Sequence, residues 1–286
     1  GTIIALMPIA AGLAERTEMT LPIVAAAVVG GAFFGDNLSF ISDTTIVSTQ
    51  SQGCKLSDKF RFNIRMVLPV AIIAGLIYIF LGSEATEVVA PQTIPFWKVI
   101  PYLTVLVCAA IGMNVLVVLV IANLLTCITG IIGGSYDFMG WITSTLDGVM
   151  GMSELILISM LAGGIFAMIS HNKGMDFIIE RITSRVKHRW GAELSICLLV
   201  AFANICTANN TIAILSVGDI SRRISERFGI DPRRSASLLD TTSCCVQGLL
   251  PYGAQLLMAS GLAGISAMSI VPYLYYPTLL GIAVLA

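Results

Sequence analysis

The chain has 286 residues, of which 56% are hydrophobic and 12% charged, with a net charge of −1 and a mean hydropathy of +0.90. A water-soluble domain carries about a quarter of its residues as Asp, Glu, Lys and Arg, so this composition leaves too little polar surface to face water, and lipid is the expected solvent. The near-neutral balance, without a basic face, argues against a nucleic-acid partner. The seven cysteines stand mostly in apolar runs and match no zinc or disulfide spacing. The vicinal pair Cys244-Cys245 reads as two small residues at a packed helix contact.

A helix needs about 20 apolar residues to cross the hydrocarbon core. Runs long enough, allowing polar interruptions, are expected at Leu21–Gln50, Val67–Leu81, Val99–Ile132, Met152–Ser170, Ala192–Asp219, Ser235–Gly253 and Leu256–Ala286. The chain opens inside the apolar segment GTIIALMPIA and closes inside YYPTLLGIAVLA, and so reads as a fragment of a longer protein.

Sidedness follows the basic residues, which are retained on the cytoplasmic side. The connections 54–65, 171–189 and 221–234 hold 14 of the 16 lysines and arginines. All three are therefore placed in the cytoplasm, in a multi-pass protein of the cell (inner) membrane. Ala192–Asp219 then starts and ends on one side. Its middle, Asn204-Ile205-Cys206-Thr207-Ala208-Asn209-Asn210-Thr211, is polar, which predicts two half-length helices meeting at a polar tip, a re-entrant hairpin. Leu21–Gln50 must cross once, yet Gly35–Thr45 (GDNLSFISDTT) is too polar for a lipid-facing helix, which predicts a crossing helix unwound over 35–45. Val99–Ile132 is long for one span and short for two, with Gly112-Met113-Asn114 as the turn if it returns.

An internal repeat is faintly legible. Gly1–Leu6 aligns with Asn210–Leu215, each copy continues with a short polar loop, and a broken apolar stretch follows: GDNLSFISD in one, QGLLPYGAQ in the other. Asp36 falls near Gln247 and Ser42 near Gly253. The charge count gives the two copies opposite topology, the pattern of secondary transporters. The expected organisation is a first repeat over 1–82, connecting spans over 83–151 and a second repeat over 152–286, with the hairpin at 192–219 and a broken helix at 235–253.

Ionisable side chains inside a membrane are costly and usually functional. Asp36 and Asp43, with Asn37, Ser39, Ser42 and Thr44 between and beside them, form an oxygen-rich set suited to a hard cation such as Na⁺. The alternative is that the two aspartates cap half-helices. Asn204, Thr207, Asn209, Asn210 and Thr211 offer carbonyls and hydroxyls to the same ion, or else hydrogen-bond within their own tip. Asp240 is either a third titrating group or the partner of Arg233 or Arg234; Asp219 reads as the partner of the Arg222-Arg223 pair. No lysine or arginine falls inside an expected span.

The stretch Gly35–Thr45, followed by its basic connection, resembles the NhaC-type sodium/proton antiporter family, as do Thr207-Ala208-Asn209-Asn210-Thr211 and Asp240-Thr241-Thr242. The resemblance covers essentially the whole chain. It implies an all-α polytopic membrane protein with the inverted-repeat ion-transporter fold, broken helices and re-entrant hairpins, often as a homodimer in the bilayer. It matches Asp36, Ser39, Ser42 and Asp43 to the unwound helix and 204–211 to the hairpin tip. A Ser/Thr/Gly-rich tip precedes Gly1-Thr2 in that family and is not in this sequence. The activity implied is Na⁺/H⁺ exchange by alternating access, with Na⁺ and H⁺ as substrates and no cofactor; the alternative is an organic acid or amino acid exchanger of the same fold. An intramembrane aspartyl protease using Asp137 and Asp219 is the competing class, and an enzyme is not expected.

Overall fold

The computed structural model describes residues 2–17, 19–39, 42–82, 99–110, 113, 115–151, 153–174, 177, 181 and 188–285. Helices carry the fold, and no strand occurs among the described residues. In chain order they are α1 (Thr2–Thr17), α2 (Leu21–Leu38), α3 (Asp43–Gln52), α4 (Leu56–Gly82), α5 (Ile100–Ala110), α6 (Val115–Ile132), α7 (Phe138–Gly151) and α8 (Ser153–His171). Then follow α9 (Arg189–Thr207), α10 (Asn210–Phe228), α11 (Pro232–Leu249), α12 (Ala254–Ala263), α13 (Ala267–Ile270), a 3-10 turn over Val271–Tyr273 and α14 (Tyr275–Leu285).

Among the described residues, Leu21–Gln52, Leu56–Gly82 and Arg189–Thr207 are long and apolar enough to cross a membrane; the bent pair Pro232–Ala263 and Ala267–Tyr273, at 101°, makes a fourth if counted as one span. Their outer surfaces agree: α4 exposes Ile72, Ile79 and Phe80, and α8 exposes Met160 and Leu161. In water such faces would be an aggregation hazard. They suit hydrocarbon, and the chain is an all-α membrane protein.

Several sequence expectations change in detail. The break in the first crossing helix is short, between Leu38 and Asp43. Val99–Ile132 is two helices, α5 and α6, packed on each other; Gly112 and Asn114, the expected turn, lie outside the described residues. The basic stretch 54–65 is not a loop: α4 begins at Leu56, not Val67, and carries Lys59, Arg61 and Arg65. Likewise α10 runs through Arg222, Arg223 and Arg227, leaving Gly229–Asp231 as its link to α11. Much of 171–189 lies outside the described residues. The arms α9 and α10 have 19 residues each, about 28 Å, and so exceed the half-length helices expected over 192–219.

Helix boundaries recur at a fixed offset. Adding 211 to the ends of α2 (21, 38) and α3 (43, 52) gives 232, 249, 254 and 263, the ends of α11 and α12. The same sum carries the end of α1 (17) to that of α10 (228), and the start of α4 (56) to that of α13 (267). Glu15-Arg16 thereby meets Glu226-Arg227, and the N-cap Thr20 meets the N-cap Asp231. Asp36 corresponds to Gln247.

The core is organised around α11, PRRSASLLDTTSCCVQGL, a helix of low hydrophobicity buried at twelve positions from Ser235 to Gly248. Its Ser, Ala, Thr, Cys and Gly side chains are small enough for close helix approach. On one side Ile196, Leu199, Val200, Ile214 and Val217 of α9 and α10 pack with Leu238 and Leu239. On the other, Phe33 of α2, Val67 and Val70 of α4, and Tyr276 and Leu280 of α14 pack with Cys244. The vicinal cysteines are free, and Cys245 sits against Gly281.

This closeness is testable. A Cβ on Gly248 would stand 2.7 Å from Pro277 Cγ and 3.3 Å from Phe33, whereas one on Gly191 would meet nothing within 4 Å. Gly248→Ala is expected to destabilise by about 1–3 kcal/mol through overpacking. Gly191→Ala, which replaces a helical glycine without a clash, is expected to be neutral or stabilising by about 0.5–1 kcal/mol. Thermal unfolding of the two purified variants in detergent checks the contrast.

Candidate functional site

A cavity of about 350 Å³ lies where three backbone interruptions meet. Asp36, Ser42, Asp43 and Thr44 line it from the α2–α3 break, Ala208, Asn209, Asn210 and Thr211 from the α9–α10 tip, and Gln247, Ala254 and Gln255 from the α11–α12 break. Asp43 and Asn209 are exposed, and Asp36 is half-buried.

Local chemistry explains each interruption. Ser39 and Ser42 are extended, so α2 stops at Leu38 and α3 restarts at Asp43. The second break falls at Leu250-Pro251, since proline has no N–H to continue the helix and restricts the residue before it. At the hairpin, Ala208 adopts a left-handed conformation (φ 48°), uncommon for a residue with a Cβ. Asn209 then caps α10 by accepting the Ile212 N–H at 3.0 Å. Gln247 Nε2 donates to the Ala208 carbonyl (2.8 Å) and to Gln255 Oε1 (3.0 Å), tying the tip to the second break.

The two aspartates differ in setting. Asp43 opens α3, where the helix dipole favours negative charge. Asp36 lies in the last turn of α2, at the negative end of the dipole, where Ser42 Oγ donates to its carboxylate (3.3 Å). A carboxylate there calls for a positive partner. Among the described residues, no lysine or arginine lines the cavity.

Behind the cavity wall lies a second, closed cluster. Thr45 Oγ1 donates to the Asp36 carbonyl (3.3 Å) and accepts from Lys59 Nζ (2.6 Å). Lys59 Nζ also pairs with Asp240 Oδ2 at 2.5 Å, both side chains being 0% exposed. Asn63 Nδ2 donates to the same carboxylate oxygen and to the Asn37 carbonyl, each at 3.2 Å. Asn37 Nδ2 in turn donates to Tyr276 Oη (3.1 Å) and to the Phe33 carbonyl (2.9 Å).

The sequence-derived residues therefore divide between the two places. Asp36, Ser42, Asp43, Thr44, Asn209, Asn210 and Thr211 border the cavity. Asn37 and Asp240 belong to the closed cluster. Asn204 Nδ2 holds the Ser243 carbonyl (2.7 Å), and Thr207 Oγ1 donates to the Asn209 carbonyl (3.1 Å) within the tip. Ser39 is half-buried in the break itself. Asp240 pairs with neither Arg233 nor Arg234, because those two reach Asp231 and Glu193 instead. Asp219 is exposed, and Arg222 pairs with Glu226, its (i, i+4) neighbour.

Lys59 and Asn63 were missed because Lys59 was counted with a basic loop. A signal for them was present: Lys59, Asn63, Val67, Val70 and Ala74 are the buried residues of α4 and form one helical stripe. Arg61 and Arg65 fall off that stripe and are exposed.

Toward the basic end the same helices are sealed. Gln52 Nε2 donates to the Gly218 carbonyl (2.9 Å), Ser235 Oγ to Gln52 Oε1 (2.8 Å), and Ser225 Oγ to Ser235 Oγ (2.9 Å). Asp137 Oδ1 accepts the Gly140 N–H (2.8 Å), a local turn contact.

Residues 1–83 and 84–286 match the sequence model of the Na+/H+ antiporter family. The chain is similar to a malate-2H(+)/Na(+)-lactate antiporter of Bacillus subtilis, 20% identical over 92% of this chain and 63% of that protein. It is similar also to the Na(+)/H(+) antiporter NhaC of Alkalihalophilus pseudofirmus, 22% identical over 93% of this chain and 64% of that protein. A third relative is the arginine/ornithine antiporter ArcD of Halobacterium salinarum, 22% identical over 92% and 61%. The chain thus spans a little under two thirds of the length of these relatives. No solved structure is a significant match.

The tip geometry depends on one side chain from another helix. Gln247→Ala is expected to strand the Ala208 carbonyl and destabilise by about 1–3 kcal/mol. Ala208→Gly, which accepts the left-handed backbone freely, is expected to be neutral or stabilising. Unfolding midpoints of both variants test this.

Proposed function

The chain belongs to the Na+/H+ antiporter family, and on that premise we propose that its cavity binds Na⁺ and H⁺ alternately and exchanges them across the membrane. The observation that carries the reading is the Asp36 carboxylate, held at the C-terminal end of a broken helix in a cavity lined by no lysine or arginine among the described residues. Na⁺ and H⁺ both neutralise that carboxylate, and only one can do so at a time. Competition for one group is sufficient for exchange. Ser42, Thr44, Asn209 and Asn210 supply further oxygens of the kind a hard cation takes.

Alternating access then needs the ion released to each side in turn. The seal of Gln52, Gly218, Ser225 and Ser235 closes the basic end, and we place that end in the cytoplasm of a cell-membrane protein, following the exposed Lys55, Arg61, Arg65, Arg222 and Arg223. The 211-residue recurrence, read with opposite orientations for the two copies, supports a rocking of one set of helices against the other. In this reading the protein acts as a transporter and not as an enzyme, and a homodimer is the assembly to test.

A second reading has its own observation. Asp43, Asn210 and Ala254 are the first residues of α3, α10 and α12, and all border the cavity. Three helix N-termini offer N–H groups to an anion. A cavity of about 350 Å³ also exceeds what a bare ion fills. An organic carboxylate co-bound with Na⁺ fits that geometry, as does the antiporter relative named for malate and lactate.

Protein reconstituted in liposomes with an imposed pH gradient separates these readings. Na⁺ is expected to collapse the gradient, and Asp36→Asn to reduce the rate at least tenfold. Collapse that requires malate or lactate in addition to Na⁺ supports the second reading. No response to Na⁺, with or without organic acids, refutes both.

A further inference from the structure

We infer that Asp240, Asn63 and Asn37 form a second, enclosed cation site, whose occupant is the ammonium group of Lys59 and which accepts a free Na⁺ once the lysine is removed. The inference borrows from the proposed exchange only the choice of probe cation.

Three observations carry it. The site is assembled from distant parts of the chain, with Asn37 on α2, Lys59 and Asn63 on α4 and Asp240 on α11, all four buried. It is rich in acceptors. Lys59 and Asn63 both donate to Asp240 Oδ2, while Asp240 Oδ1, Asn63 Oδ1 and Asn37 Oδ1 are buried and receive no hydrogen bond from the described residues. Unmatched buried acceptors of this kind are uncommon, because each forgoes a water partner without replacement. Finally, the unmatched atoms are one carboxylate and two amide oxygens, the donor type that hard cations select. An ammonium directs its hydrogens at a few acceptors; a spherical ion can draw several oxygens at once.

The cluster therefore behaves as a cation site with a tethered resident. Lys59 reaches it from α4 and also holds Thr45, whose hydroxyl touches the Asp36 carbonyl at the wall of the outer cavity. A solute cation arriving at Asp240 has to displace that resident first. Lys59 thus acts as a positioning residue that keeps the inner site closed to Na⁺ and leaves the cavity at Asp36 as the open one.

The test uses purified protein in detergent and compares unfolding midpoints in NaCl and in choline chloride at equal ionic strength. Wild type gives the baseline shift due to the outer cavity. Lys59→Gln is expected to unfold earlier in choline chloride, because removing one partner leaves a buried unpaired charge. In NaCl it is expected to recover by about 3 °C or more beyond the wild-type shift. Lys59→Gln/Asp240→Asn, which has no charge left to satisfy, is expected to lose that excess.

Equal behaviour of Lys59→Gln in the two salts overturns the inference, since Asp240 is then satisfied without Na⁺. An excess that survives in the double variant overturns it as well, because Na⁺ is then acting elsewhere. If Lys59→Gln fails to fold in NaCl while the double variant folds, Na⁺ cannot occupy the site, and the inference falls. Failure of both to fold also overturns it, making Lys59 a requirement of the fold rather than the occupant of an ion site. The readout needs no transport: wild-type exchange without the Lys59→Gln effect leaves the proposed function standing alone, and the converse leaves the inner site standing alone.

Discussion

A lysine ammonium and an aspartate carboxylate, both shut away from water, sit where α2, α3, α4 and α11 come together. Desolvating two charges is expensive, and their attraction repays it only if geometry and additional hydrogen bonds are good. Lys59 and Asp240 meet at 2.5 Å, with Thr45 and Asn63 as additional partners. The pair joins segments 181 residues apart. Neither charge can be abandoned inside the membrane, so this contact fixes how the N-terminal helices stand against the C-terminal ones.

That arrangement gives α11 its unusual character. A helix with Ser, Thr, Asp, Cys and Gln at its centre would be unstable facing lipid, yet this one is buried around its circumference. Its neighbours satisfy part of its polar surface: Gln52 through Ser235, Lys59 and Asn63 through Asp240 Oδ2, and Asn210 through the Cys244 sulfur (3.7 Å). Small side chains bring those neighbours close enough to do so. Interrupted helices at the next layer then cost little, because their free backbone groups face protein or the polar cavity and not hydrocarbon.

The cavity and the inner cluster share a wall. At the wall, Thr44 lines the cavity while Thr45, the next residue, turns inward to Lys59. Asp36 does both, presenting its carboxylate to the cavity and its carbonyl to Thr45. The Thr45 hydroxyl alone thus stands between the Asp36 backbone and the Lys59–Asp240 contact. In the proposed exchange, this adjacency would offer a short physical route from ion occupancy to helix movement.

The solvent, the helical class, the polar interruptions and the family are legible in the sequence alone. Each of these is a property of composition or of local order: an apolar fraction of 56% with 12% charge, a run of polar residues inside an apolar one, a recurring feature order. It also located the interruption near Asp36 and the tip near Asn209, because a broken helix leaves a polar trace in the chain itself. It misplaced Lys59, whose neighbours Lys55, Arg61 and Arg65 are solvated, and it left Asp240 divided between a titrating role and nearby arginines. Those errors have one cause. Whether a lysine is solvated or shut in a core depends on which side of α4 meets α2, α11 and α14, and a carboxylate's partner depends on what lies across the bundle. These pairings are settled in three dimensions, because burying a charge is permitted by a partner far away in sequence, and linear order does not record that partner.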